Sequence, residues 1–334
     1  MDKGNLRLTA SEIGSLWGHY INGTMTDVVN RYMVSIIEDQ SIKAIFEDAI
    51  QTFGEQKKQA AAFLESEGFP VPIGFTEYDI NKGAKRLFTD IFCLNYLHIM
   101  TLHGLIGHST SLSVSVRADL RHFFDSSLND GNRMYHQTVE LLLEKGHFQR
   151  DPYIYPAVNP EFISSKDFID GFFGKGRSLA STEIISIFLN LKKSIVSKAL
   201  CVGFSQVAQS TEVRKFMTKS QNTAEQHIAT FTKILQADHL PVPRSMETEV
   251  TTSTVSPFSD KLMMYHIGFL AQVAQAYHGT GLASAMRSDL VAAYETIILK
   301  NLYVTKKWFN IMEQNKWLEQ PPLAPNRTEI AKEK

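Results

Sequence analysis

The sequence predicts an all-α protein built from two tandem four-helix bundles. Three observations support this prediction: apolar residues recur at helical spacing through most of the chain, no strand pattern of comparable strength competes, and one half of the 334 residues resembles the other. A chain of this length exceeds the usual size of one domain, and its 43% hydrophobic content allows cores of normal size.

The internal repeat is visible as a nearly constant shift along the chain. The turn Pro-Val-Pro occurs at 70–72 and again at 241–243, a shift of 171 (241 minus 70). Beyond this turn the shift becomes 170 (287 minus 117), which carries Arg-Ala-Asp-Leu at 117–120 onto Arg-Ser-Asp-Leu at 287–290. Because the matches keep their order along the chain, we interpret them as a duplication.

Each half contains four helical patterns, A to D. Helix A follows Thr9, a predicted N-cap, with Glu12 three residues later at the spacing of a capping box. Helix B ends at Gly68, since Pro70 and Pro72 cannot continue a helix. The predicted ranges are 41–67 for helix B, 81–106 for helix C and 114–146 for helix D, with second-half counterparts of helices A to D at 180–209, 212–238, 257–277 and 283–316.

One long connection, of about 13 to 18 residues between helices B and C, is typical of ferritin-like four-helix bundles with a single crossover. The second crossover falls in the polar, β-prone segment 245–257. We expect the two fused bundles to imitate a dimer inside one chain. The predicted organisation is a first bundle over 1–156, a linker with a short helix over 157–178, a second bundle over 179–325 and a polar tail over 326–334.

Composition narrows the possible partners and compartment. A formal net charge of −1 provides neither a basic surface for nucleic acid nor an acidic tail. Cys93 and Cys201 lie in separate apolar runs, which disfavours a disulfide and fits a reducing compartment. The most apolar run, 91–107, is too short and too polar for a membrane span, and the N-terminus lacks a signal-peptide core. We therefore expect a cytoplasmic protein without nucleic-acid or membrane partners, open to protein partners or self-association.

Four features together resemble a known family. They are Glu12 with the nearby Trp17 in helix A, Pro-x-Pro after helix B, Arg-x-Asp at the start of helix D, and the segment NKWLEQPPLAP at 315–325. This set resembles an uncharacterised family of ferritin-like bundle proteins from spore-forming bacteria, some of them labelled spore coat proteins. The resemblance covers 9–156 and 180–325, and it implies a ferritin-like fold and a spore association without established chemistry.

The sequence lacks the ligand set of a di-iron carboxylate bundle. Such a site needs a Glu on each of two helices and Glu-x-x-His on each of the other two. Helix B instead reads Glu-Gln-Lys-Lys at 55–58 and Glu-Gln-His-Ile at 225–228. Helix D offers Asp119-x-x-His122 once, and the second half has Ala292 in place of the histidine. The standard site is therefore absent from both halves.

A reduced zinc or iron site is the weaker metal hypothesis. Seven of the eleven histidines fall in the first half, and His98 or His103 could combine with Asp119 and His122, because imidazole and carboxylate suit these ions. The alternative, that these are surface or hydrogen-bonded core histidines, is favoured because the set does not repeat. No metal or other cofactor is assigned.

One polar set does repeat. His108, Arg117 and Asp119 recur as the set His278, Arg287 and Asp289. It could form two copies of a ligand or partner site beside the turn between helices C and D. The structural alternative is favoured, because Asp suits the start of helix D, His suits the end of helix C, and Arg can bridge them.

The remaining patterns indicate packing, and three functions stay open. Gly14 and Gly18, four residues apart, are expected to permit close helix packing, and no catalytic residue can be assigned from spacing. The first hypothesis is a non-catalytic structural or interaction protein connected with spores. The second is a divergent metal-binding or oxidase-like protein, and the third is a small-molecule binder with a cavity between helices.

Overall fold

The computed structural model describes residues 6–163, 168–169 and 177–332. Within them the protein is all-α, with four long helices in each half and a short helix near the C-terminus, as the sequence predicted. The helices are α1 (Ala10–Ile36), α2 (Gln40–Ser66), α3 (Asp90–Ser113), α4 (Ala118–Glu144), α5 (Ser181–Val207), α6 (Thr211–Ala237), α7 (Asp260–Ser284), α8 (Ser288–Gln314) and α9 (Arg327–Lys332). The short helix predicted in the linker 157–178 lies largely outside the described residues.

The predicted ends of the first two helices are confirmed. The Glu12 N–H donates to Thr9 Oγ1 over 3.2 Å and the Thr9 N–H donates to Glu12 Oε2 over 2.8 Å, which is a capping box. Gly68 follows α2 with a φ of 74°, the left-handed conformation that favours glycine after a helix. In the second half His239 takes the equivalent position with a φ of 57°.

The predicted start of helix C is wrong in both halves. Helix α3 begins at Asp90 rather than 81, and α7 begins at Asp260 rather than 257. The Thr89 hydroxyl caps α3 by accepting from the Phe92 N–H, and the residues just before it run as extended chain. Each crossover is therefore longer than predicted, over 67–89 in the first half and 238–259 in the second.

The extended parts of the two crossovers pair with each other. Ile80 forms an antiparallel bridge with Phe258, and Phe88 forms one with Val250. The Thr89 N–H donates to the Glu249 carbonyl over 3.0 Å, and the equivalent Ser259 N–H donates to the Asp79 carbonyl over 3.1 Å. Each contact is matched by its counterpart 170 residues away, so the halves meet as the subunits of a two-fold dimer do. We call this paired region the seam.

A single apolar core crosses the seam. Phe258 of the second half packs edge-on against Tyr32 of the first, with ring centroids 5.1 Å apart. Near the middle of the interface, the Tyr96 hydroxyl lies 3.1 Å from Nε2 of its own counterpart, His266. Smaller apolar clusters fill the outer end of each half. The halves therefore share most of their buried apolar surface.

The segments that follow α4 and α8 tie each half to the other. Glu319 accepts hydrogen bonds from the N–H groups of Ile73 and Gly74, both over 2.7 Å. In the mirrored contact, Gln149 accepts from the Arg244 N–H over 2.8 Å. Gly74 has a φ of 63°, and a Cβ there would overlap the side chain of Thr24. The tryptophan and proline motif at 315–325 thus supplies a clasp across the seam.

Candidate functional site

The four residues proposed for a reduced metal site do not come together. His98 Nδ1 lies 3.1 Å from Thr138 Oγ1 on α4, whereas Asp119 is at the other end of that helix, 19 residues away (138 minus 119) or about 28 Å along the axis. His122 is exposed on the first turns of α4. His103 packs against the rings of Phe269 and Tyr277, at centroid distances of 6.1 and 5.7 Å. Within 6–163, 168–169 and 177–332, no three His, Cys, Asp or Glu side chains are grouped closely enough to hold a metal ion.

The repeated Arg and Asp residues form a clamp around a buried glutamate. In the first half, Glu12 Oε1 accepts from the N–H groups of Val116 and Arg117 over 2.8 and 2.9 Å. The Arg117 guanidinium pairs with Asp119 over 2.6 Å and with Glu67 at the end of α2. Burial alone would raise the pKa of Glu12, but these backbone donors and the N–H of Thr9 hold it below its usual range. We propose that this clamp is structural, since it joins the ends of α1, α2 and α4.

The second half repeats this clamp and adds an ion pair between Arg177 and the central glutamate, Glu183. Glu183 Oε1 accepts from the N–H groups of Met286 and Arg287 over 3.0 and 3.1 Å. The Arg287 guanidinium pairs with Asp289 over 2.7 Å, and it also pairs with Asp238. Although burial would raise it, Arg177 and the backbone donors hold the pKa of Glu183 at about 2. The Arg and Asp residues were predicted from the repeat, whereas Glu12 was predicted only as a capping residue and not as the centre of a clamp.

The histidines of the repeated set do not belong to the clamp. His108 faces α1, where its ring centroid lies 5.2 Å from that of His19. His278 Nδ1 lies 3.2 Å from Asn301 Nδ2, and its ring centroid lies 5.3 Å from that of His227. The expected bridge from arginine to histidine is not formed, because the side-chain hydrogen bonds of the arginines go to the clamp.

His108 lies in a cavity of about 320 Å³ within the first half, which we call the first cavity. The first cavity separates α1 from α3, is also lined by α2 and by Phe269 of α7, and opens to solvent beside the exposed Gly14 and Gly107. Its main polar residues are His19, Asn22, Asn30, Gln56, His103 and His108. Its larger apolar residues are Phe53, Tyr96, Leu97, Met100 and Phe269.

Glycines on the facing helices create the space. A Cβ added at Gly14 or Gly18 of α1, or at Gly107 of α3, would have no atom within 4 Å. The expectation that Gly14 and Gly18 permit close helix packing is therefore wrong, because the helices separate at these positions. The five glycines that line the first cavity are Gly14, Gly18, Gly23, Gly104 and Gly107.

The polar groups of the first cavity are neutral and incompletely paired. Burial lowers the pKa of His19 to about 3 and that of His108 to about 4, so both imidazoles are uncharged at neutral pH. No hydrogen bond joins either ring to another described residue. His103 Nδ1 and Asn30 Nδ2 are buried without a partner. Such groups are uncommon in folded proteins and need an explanation.

The second half fills the corresponding space. The buried Tyr277 and the half-buried Leu189 replace Gly107 and Gly18, whereas Ile185, at the position of Gly14, is 62% exposed; α5 packs closely along α7. What remains is a cavity of about 60 Å³ between α5, α6, α7 and α8, which we call the second cavity. A residue-by-residue comparison of the two repeats would have revealed the first cavity, since the exchanges from glycine to bulky residues are visible in the sequence.

Comparisons with known proteins place the chain in a family without assigning an activity. The model of a family described as "Protein of unknown function (DUF3231)" matches residues 1–159 and 167–330. The chain belongs to the DUF3231 family. The two matches show that the chain carries two copies of the DUF3231 unit.

The crystal structure of a putative spore coat protein from Bacillus halodurans C-125 is 19% identical, covers 46% of this chain and 100% of its own, and has a TM-score of 0.43. A search of curated proteins finds no significant match. In the described part of the chain, the helices are too short or too polar to cross a membrane.

Proposed function

We propose that this protein binds a small, uncharged and mainly apolar molecule in the first cavity. The observation that carries this proposal is the open space beside Gly14, Gly18 and Gly107. A glycine inside a helix destabilises a protein by about 0.5–1 kcal/mol relative to alanine. The second half avoids this loss at Ile185 and Leu189, so the glycines of α1 lower the stability of the first half and leave open space beside the helix.

The lining indicates the chemistry of the ligand. A volume of about 320 Å³ is at the lower end of the range for small-molecule sites. Neutral imidazoles at His19 and His108 provide no charge for a carboxylate or phosphate. Asn30 Nδ2 offers a buried donor and His103 Nδ1 a buried ring nitrogen, so one or two polar groups of the ligand would find partners.

The test uses the uncharged fluorescent probe N-phenyl-1-naphthylamine and a variant that copies the second half. We expect the probe to bind saturably to the wild-type protein and at least tenfold more weakly to Gly107→Tyr, which introduces the residue found at Tyr277. Gly279→Tyr is the matched control, because Gly279 is an exposed helix glycine with open space outside the first cavity. Equal probe binding by wild type and Gly107→Tyr, with circular dichroism unchanged, would refute the proposal.

A structural protein that self-associates is the second candidate, and an exposed apolar strip on α8 favours it. Leu299, Leu302 and Tyr303 are 68%, 55% and 56% exposed, and Phe309 continues the same face at 53%. The counterpart of Leu302 on α4 is the polar Asn132. The spore association implied by the resemblance belongs to this candidate. Sedimentation velocity tests it: we expect concentration-dependent association that Leu302→Asn abolishes, and a monomeric wild type would contradict it.

We also propose that each half is a ferritin-like four-helix bundle and that the protein resides in the cytoplasm. The single long crossover in each half supports the first statement. The two free, buried cysteines support the second, since thiols persist in reducing compartments. Cell fractionation with an antibody against the protein tests the location, and recovery from the extracellular fraction would contradict it.

A further inference from the structure

The second cavity has the position of the first but a different chemistry. Lys193 lines it at the position of Asn22, and His227 lines it at the position of Gln56. None of the described residues that line it is Asp or Glu. The duplication has thus placed a cationic side chain where the first half has a neutral amide.

Lys193 is a buried amine without a counterion, and burial lowers its pKa to about 7. The side chain belongs to a residue that is 3% exposed, and it takes part in none of the salt bridges among the described residues. Its ammonium carries three donors, of which one donates to Asn190 Oδ1 over 2.9 Å. The Tyr277 ring, 5.1 Å from Nζ, gives some further stabilisation. Two donors remain without an acceptor, and burying an unpaired charge is strongly unfavourable.

Two neutral groups in the same cavity are also unpaired. His227 Nε2 and Ser220 Oγ are buried and have no hydrogen-bond partner, and their residues are 5% and 8% exposed. Both line the second cavity together with Lys193. Three residues around one small space therefore have free hydrogen-bonding capacity that a bound molecule or ion would satisfy.

We propose that the second cavity binds a small monovalent inorganic anion such as chloride. A volume of about 60 Å³ exceeds the roughly 10–15 Å³ needed for one water molecule, but it is far below that of sites for organic ligands. Water would satisfy the free hydrogen bonds but would not compensate the charge of the Lys193 ammonium, whereas an anion does both and favours the protonated form. Thr223 and Ala274 of the lining are only half-buried, which gives an ion a route of entry.

The test measures thermal unfolding of the full chain as a function of anion. Protein purified in sodium gluconate, whose anion is too large for the second cavity, is titrated with sodium chloride at constant ionic strength. We expect a saturable rise in Tm of about 2–4 °C, since a ligand that binds only the folded state stabilises it. Sodium sulfate at the same ionic strength should give no saturable rise.

Lys193→Met is the decisive variant. It should abolish the chloride-dependent rise and increase the Tm in gluconate, because it removes a buried unpaired charge. Lys215→Met, on an exposed part of α6, is the matched control and should respond to chloride like the wild type. Absence of a saturable rise in the wild type, or an unchanged rise in Lys193→Met, would overturn the proposal.

Two further measurements keep the proposal testable if Lys193→Met does not fold. Ser220→Ala removes one hydroxyl and should weaken the apparent chloride affinity at least threefold; an unchanged affinity counts against the site. A crystal soaked in sodium bromide should give an anomalous peak within hydrogen-bond distance of Lys193 Nζ. Bromide found only at the protein surface would exclude an anion site in the second cavity. The outcome is independent of the ligand proposed for the first cavity, because that ligand occupies a different site.

Discussion

Gly18→Leu should stabilise the protein, although it places a large side chain in the first cavity. The substitution copies Leu189 of the second half, and a Cβ at Gly18 would have no atom within 4 Å. Leucine gains about 0.8 kcal/mol over glycine in helix propensity. Half-burying its side chain adds about 1 kcal/mol, and ordering that side chain costs about 0.5–1 kcal/mol. We expect a net gain of about 1 kcal/mol in the free energy of unfolding.

Urea unfolding followed by circular dichroism measures this gain, and Gly268→Leu provides the opposite control. A Cβ at Gly268 would overlap the indole of Trp308, so this second variant should lose several kcal/mol, the usual result of overfilling a packed core. The two variants make the same exchange inside a helix and differ in the space beside it. A loss of more than 1 kcal/mol in Gly18→Leu would mean that the first cavity is not open, and the ligand proposal would lose its basis.

Three further predictions follow from the clamp, the histidines and the seam. Glu12→Gln should lower the free energy of unfolding by about 2–3 kcal/mol, since the buried carboxylate accepts hydrogen bonds from three backbone N–H groups. Urea unfolding tests this prediction, with the exposed Glu55→Gln as the control. A loss below about 0.5 kcal/mol would contradict it. Burial lowers the pKa of seven histidines to between about 2 and about 4. These histidines stay neutral in the folded state, while those of the unfolded chain bind protons below about pH 6.5. The free energy of unfolding is therefore highest above that pH and falls towards pH 4, by about 1.4 kcal/mol per pH unit for each proton. A urea midpoint that is equal at pH 7.5 and pH 5 would refute this. Residues 1–159 alone should form a homodimer or remain unfolded, because they expose the core that crosses the seam, and sedimentation equilibrium that finds a folded monomer would show otherwise.

Local signals made the helices and their caps predictable. Thr9 with Glu12, and Gly68 before the prolines, act through bonds within a few residues, so the sequence around them is sufficient. The start of α3 was missed because its cause is remote: the residues before Thr89 are held extended by bonds to Glu249 and Val250 of the other half. A single helical pattern cannot reveal pairing with a segment 160 residues away (249 minus 89).

The site residues were likewise predictable where their contacts are local in sequence and unpredictable where their contacts are remote. Arg117 and Asp119 are two residues apart, and their pairing could be expected from that spacing. His108 is nine residues earlier (117 minus 108) and on another helix, so the sequence could not fix its direction, and it faces the first cavity. Gly18 was ambiguous alone, since glycine fits both a close helix contact and an open space. Only the bulky counterpart Leu189 decides between these interpretations, and it does so through the repeat.

The seam has a consequence for how this chain can vary. In a symmetric dimer of one short chain, every substitution is made twice, so an interior that opens for a ligand weakens both subunits together. Here the residues at the seam retain matched contacts while the two interiors differ. Because the two copies are covalently linked, the first can keep an open cavity while the second is closely packed. The packed second half can then offset the stability that the cavity costs the first.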